Sequence, residues 1–143
     1  MNPTKKLTGL RGEVLHKSFP TQKEMDALPK ITKNGQEVPD LDKLEEETIG
    51  NVILNSCIGF VSKEKKDGFY INTIANAIIT YKEEEPIEFK KPLLNFLEEV
   101  LTQATVREVE TKGDDGKMKK EVKGFYSSWM IAKVMQELGI TED

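Results

Sequence analysis

The stretch KKPLLNFLEEVLTQA, residues 90–104, admits little besides an amphipathic helix. Leu93, Leu94, Leu97, Val100, Leu101 and Ala104 recur at spacings of three and four, which lines them along one helical face. Pro92 falls in the first turn, where its missing N–H costs nothing and its fixed φ suits a helix. So broad an apolar stripe must be covered by other elements of the chain.

Three other segments read as helices. In DLDKLEEETIGNVILNSCIGFVS, residues 40–62, the positions Ile49, Val52, Ile53, Ser56, Cys57 and Phe60 share one face. Its start is either Thr48, acting as cap, or Asp40, with the acids in the first turn, and the earlier start is preferred. After a polar break at SKEKKDG, Tyr70, Ile74, Ala77, Ile78 and Tyr81 recur at helical spacing, until Pro86 turns Glu85 away from helical angles. The last helix, SSWMIAKVMQELG, opens on a Ser cap and stops at Gly139, with Ile140 placed for a Schellman ending.

The first 39 residues read differently. Gly9 and Gly12 punctuate a short strand-prone segment, and Pro20, Pro29 and Pro39 are expected to break any helix there. Asn34-Gly35 between β-branched residues signals a hairpin with a type I′ turn. Residues 106–123 hold two charge-rich runs separated by GDDG and read as a protruding β-hairpin, the alternative being a solvated loop. The expected fold is therefore α+β and mainly α. It is a small bundle of about four helices in a single domain, residues 1–143, with a β-rich arm over 1–39 and an inserted hairpin.

Composition narrows function by exclusion. The single Cys rules out an intrachain disulfide, and the single His rules out a site needing two imidazoles. No apolar run approaches the roughly 18 residues of a membrane span, and the opening residues lack the apolar core of a secretion signal. The expectation is a cytoplasmic protein without membrane contact or cofactor. Net charge is −4 with both signs mixed, which disfavours nucleic acid as partner.

Motifs for chemistry are sparse. Cys57 sits on an apolar helix face with nothing nearby to lower its pKa, so a buried structural role is expected. His16 has no evident catalytic companion. Pro39-Asp40 with Glu64-Lys65-Lys66 matches the acid pattern of metal-dependent nucleases, but a helix is expected between the two halves. GDDG fails as a calcium loop, because the twelfth position from Asp114 is Phe125. Phosphate-binding and nucleophile-elbow glycine patterns are absent.

The densest recognition signal is Phe125, Tyr126 and Trp129, followed by Met130. Exposed, these are interface anchors; buried, Trp129 packs the last helix; beside Lys117, Lys119, Lys120 and Lys123, they are a base-stacking platform. An acidic stretch, Asp40, Asp42, Glu45, Glu46 and Glu47 against one Lys43, is placed to orient a partner.

From about Leu10 to Leu138 the order of features resembles small uncharacterised accessory proteins of tailed bacteriophages. The correspondence lies in Gly12-Glu13-Val14-Leu15, in the helix opening at Thr48-Ile49-Gly50-Asn51-Val52, in Glu85-Pro86-Ile87-Glu88-Phe89, and in the final helix from Trp129 to Leu138. The resemblance implies a viral or mobile-element origin and action in the host cytoplasm, and it brings no catalytic residues. Residues 106–123 look like an insertion relative to it. The expectation is a non-catalytic protein-binding module that uses Phe125, Tyr126, Trp129, Glu45, Glu46 and Glu47. The alternatives are a virion structural or assembly component, with self-association, and a metal-dependent nuclease.

Overall fold

The structure, a computed structural model, describes residues 1–83 and 85–140. Helix α4 (Lys91–Ala104) is the central strut. It packs against α2 (Ile49–Ile58), α3 (Lys65–Ile79) and α5 (Ser128–Glu137), while α2 also touches α3 and α5. Its buried face is Phe96, Leu97, Val100, Leu101 and Ala104. Around it Ile49, Val52, Ile53, Cys57, Ile74, Ile131 and Val134 complete one continuous core, sealed on the arm side by Leu7. The fold is mixed α+β, with two small antiparallel hairpins, β1 (Lys30–Lys33) with β2 (Gln36–Pro39) and β3 (Arg107–Lys112) with β4 (Met118–Lys123).

Helix α2 begins at Thr48 and not at Asp40. Thr48 Oγ1 accepts from Asn51 N–H at 3.2 Å, a side-chain cap. The acidic residues ahead of it fold otherwise. Asp40 caps a single 3-10 turn over Leu41–Lys43, and the chain then runs extended between two pieces of the arm. Lys17 N–H donates to Glu45 O, Glu47 N–H to Leu15 O, and Leu7 N–H to Glu47 O. The arm also closes the start of α2, since Lys5 O takes the N–H of Ile49 and Pro3 O that of Gly50. Donors that a helix N-terminus leaves orphaned are thus satisfied by tertiary contact, which outweighs the dipole preference for acids in a first turn.

The arm is less β-rich than expected. Residues 1–29 contribute isolated bridges such as Thr8 with Val14 and His16 with Glu46. A five-residue helix α1 (Gln22–Asp26) forms between Pro20 and Pro29, held by a reciprocal capping box of Thr21 and Glu24. The prolines limit its length without preventing it, so the described residues hold five helices where about four were expected. Asn34 and Gly35 both take positive φ, 51° and 76°, as a type I′ turn demands. Helix α3 starts inside the polar break, where Asp67 Oδ2 accepts the N–H groups of Lys63 and Glu64. At the other end of the chain Ile140 N–H reaches Met135 O and Gly139 N–H reaches Gln136 O, a Schellman ending.

Candidate interaction surface

The second hairpin is anchored where α4 ends. Arg107 Nη1 donates to the carbonyls of Thr102, Gln103 and Thr105 at 3.3, 2.7 and 3.0 Å, covering acceptors that the helix terminus leaves free. On the return strand, Phe125 and Tyr126 both donate their N–H groups to Ala104 O, and Val106 N–H donates to Tyr126 O. Gly124 makes this clip feasible. Its φ is +89°, and a Cβ there would stand 2.2 Å from Thr105 O. Gly124→Ala is therefore expected to cost about 3 kcal/mol of unfolding free energy, read by urea titration, since the obstacle is backbone and cannot rotate away.

Leaving the clip, Phe125 and Tyr126 turn opposite ways. Tyr126 goes inward to 1% exposure, and its hydroxyl accepts from Asn55 Nδ2 at 3.0 Å. Burial pushes its phenol up to about 12; the Asn55 hydrogen bond opposes this and the Glu47 charge adds to it. Phe125 turns out, its ring laid on Gly59, with 36% exposure. Phe19 from the arm meets it edge to face at 5.5 Å and also touches the Tyr126 ring at 5.5 Å. Phe19 is half exposed, and Ile58, the residue before Gly59, is almost wholly so. Three aromatics thus form a cluster whose inner member is core and whose outer two face solvent.

Phe19 was not among the residues singled out in the sequence. Its signal was faint: it is the one aromatic of the arm, next to Pro20 and far in sequence from Phe125. Trp129 lies elsewhere. It is half-buried against the core, with Lys133 Nζ 5.4 Å from its ring centroid, and no aromatic pair among the described residues includes it. Lys133 is held there by Thr8 O at 2.6 Å. Lys133 therefore ties α5 to the arm, with the Trp129 ring beside it and packed on the core.

The acidic residues separate in the same manner. Glu45 is exposed and pairs with Lys17 at 3.0 Å, while Glu46 pairs with Lys6 at 2.8 Å. Hydrogen bonds that Lys17 donates to Glu24, and then to Glu45, raise its pKa, and Lys17 in turn lowers that of Glu24. Glu45 and Glu46 line a shallow cavity of about 320 Å³ with Lys17, Leu54, Ile78 and Ile79. Glu47 is fully buried, so it is a structural carboxylate and no part of a surface. Its oxygens accept from Ser18 N–H at 3.1 Å, Thr48 N–H at 3.2 Å and the Asn51 side-chain amide.

The residues considered for chemistry are each engaged locally. Cys57 is buried, and burial pushes its thiol up to about 11, which keeps it protonated at neutral pH. His16 Nδ1 lies 2.7 Å from Leu44 O and ties the arm to the segment before α2. Asp40 caps its 3-10 turn, whereas Glu64 caps α3 and pairs with Lys66 at 3.1 Å. Asp115 accepts from Lys117 N–H within the hairpin turn. Among the described residues no three His, Cys, Asp or Glu side chains are grouped to hold a metal, and no helix is long and apolar enough to cross a membrane.

No protein family, curated protein or solved structure matches the chain.

Proposed function

We propose that the chain is a non-catalytic protein-binding module whose contact point is the Phe19–Phe125 patch. The observation that carries this reading is the edge-to-face pair itself. Two Phe rings from segments over a hundred residues apart are brought together and left facing water. Leaving such area wet forgoes stabilisation of about 25 cal/mol per Å², and contiguous exposed apolar surface marks interaction sites. Preordered rings also lose little side-chain entropy on docking, which favours them as anchors. Glu45 and Glu46 stay in this reading as residues that orient an approaching partner, although Lys17 and Lys6 offset most of their field. The host-cytoplasmic, phage-type setting implied by the sequence resemblance belongs to the same proposal.

The test is affinity capture from host and infected-cell lysates with the wild type and Phe19→Ser/Phe125→Ser. The expected result is one stoichiometric partner, lost in the variant while its helical circular dichroism is unchanged. A folded variant that keeps the same partner contradicts the patch. Recovery of the chain with only itself would favour an assembly role instead.

A further inference from the structure

The β3–β4 hairpin is a two-stranded ribbon, and no other strand among the described residues pairs with either edge. All six residues of β4 are exposed. Two hydrogen bonds at the turn decide which way its backbone points. Gly113 N–H donates to Lys117 O at 2.8 Å, and Gly116 N–H donates to Gly113 O at 2.9 Å. Gly113 and Lys117 therefore form a hydrogen-bonded pair. In an antiparallel ladder such pairs recur every second residue, at Thr111 with Lys119, Val109 with Glu121 and Arg107 with Lys123. The intervening residues of β4, Met118, Lys120 and Val122, aim their N–H and C=O groups off the free edge. That leaves three donors and three acceptors in one row.

The edge also has a chemical character. Residues 117–123 carry Lys117, Lys119, Lys120 and Lys123 against Glu121, whereas β3 balances Arg107 and Lys112 with Glu108 and Glu110. Met118 and Val122, 60% and 67% exposed, flank Lys120 on one face of the ribbon. Lysines on an edge discourage indiscriminate strand pairing, and they leave an acidic strand as the favoured addition. A second copy of this chain is a poor fit. The self-paired register that uses all three outward-facing residues puts Lys120 opposite itself and Lys117 opposite Lys123 at both ends.

We propose that β4 is a strand-addition site for an extended acidic segment of another protein, added antiparallel to Met118–Lys123. The matching segment places apolar residues opposite Val122 and Met118 and acids opposite Lys117, Lys119, Lys120 and Lys123. Main-chain bonds supply the attachment, and alternate side chains supply the selection. The proposal rests on the reading of the chain as a protein-binding module but not on the aromatic patch.

The probe is the synthetic peptide acetyl-Glu-Val-Thr-Glu-Glu-Ile-Glu-amide, added to the full chain and followed by fluorescence anisotropy and amide hydrogen exchange. Exchange at Met118, Lys120 and Val122 is expected to slow at least about tenfold, with little change at Lys119 and Glu121, which are already bonded to β3. N-methylation of the Val, the first central Glu and the Ile removes the facing N–H groups and should weaken binding at least about tenfold. Methylation of the Thr and the second central Glu should change it less than about twofold. The proposal is overturned by no binding at about 1 mM peptide, by equal loss from both methylation patterns, or by unchanged exchange at those three amides. Heparin or single-stranded DNA producing the same protection would also overturn it, by pointing to a general polyanion site. The assay needs no cellular partner. Its failure leaves the Phe19–Phe125 reading standing, and failure of the capture experiment leaves the edge standing.

Discussion

Replacing Glu47 with Ala is expected to destabilise the protein by about 4 kcal/mol, more than any exposed charge substitution on the same segment. The carboxylate has no solvent exposure, and none of the ion pairs among the described residues includes it. It is held by three donors: the backbone N–H groups of Ser18 and Thr48 and the side-chain amide of Asn51. Truncation leaves all three without this acceptor in a partly buried site, and each costs on the order of 1–3 kcal/mol. Glu47→Gln should cost about half as much, because one oxygen is kept while an NH₂ replaces the other acceptor. Glu46→Gln, on the surface beside Lys6, should stay within about 0.5 kcal/mol of wild type. Urea denaturation midpoints decide the matter, and a Glu47→Ala variant as stable as Glu46→Gln would contradict the assignment.

A second large effect is expected in alkali. The Cys57 thiol is pushed up to about 11 and the Tyr126 phenol up to about 12, in both cases chiefly by burial. The unfolded chain releases these protons near the ordinary values of 9.0 and 10.0. Between each pair of values the folded state binds more protons than the unfolded one, so stability falls as pH rises. The contribution is intact below about pH 9 and is lost progressively toward pH 12. Each shift spans about two units, so each group accounts for about 3 kcal/mol over its range. Urea titrations from about pH 7 to 11 should show this fall. Cys57→Ala should remove its earlier part and Tyr126→Phe its later part. Stability that stays flat across that range would show that neither group is buried as described.

How far the chain could be read in advance depended on where each interaction's partner lies. The apolar stripe of α4, the Asn34-Gly35 turn and the ending at Gly139 depend on residues within a few positions of each other, and the structure has all three. The start of α2 does not. Local chemistry favoured Asp40, but the arm's carbonyls and the bridges of Leu7, Leu15 and Lys17 hold residues 44–47 extended, and they lie 28 or more positions upstream of their partners. Glu47 was grouped with Glu45 and Glu46 because charge counting cannot tell a buried acid from its exposed neighbours. Alternation does not separate them either: in an extended segment Glu45 and Glu47 share a face, and what buries Glu47 alone is the arm, through Ser18 N–H on its carboxylate and the backbone bonds of Leu7 and Leu15.

The aromatic cluster was legible by half. Phe125 and Tyr126 could be found by composition, but their opposite orientations come from the backbone clip at Ala104, and Phe19 joins them only through folding of the arm. Trp129 drew attention by its rarity, yet its ring is half-buried on the core beside Lys133. The strand edge of β4 could not be read from residue types alone. Which N–H groups face outward depends on the turn pairing of Gly113 with Lys117, a three-dimensional fact that shifts by one residue with a different loop length.

The most direct test of the central claim is hydroxyl-radical footprinting of the chain, free and in its captured complex, read by mass spectrometry at single side chains. If the Phe19–Phe125 pair is the contact point, oxidation of both rings should fall at least about fivefold in the complex, in keeping with burial of central anchors, while Trp129 is unchanged. Equal oxidation of Phe19 and Phe125 in both states, with a partner bound, would contradict the account.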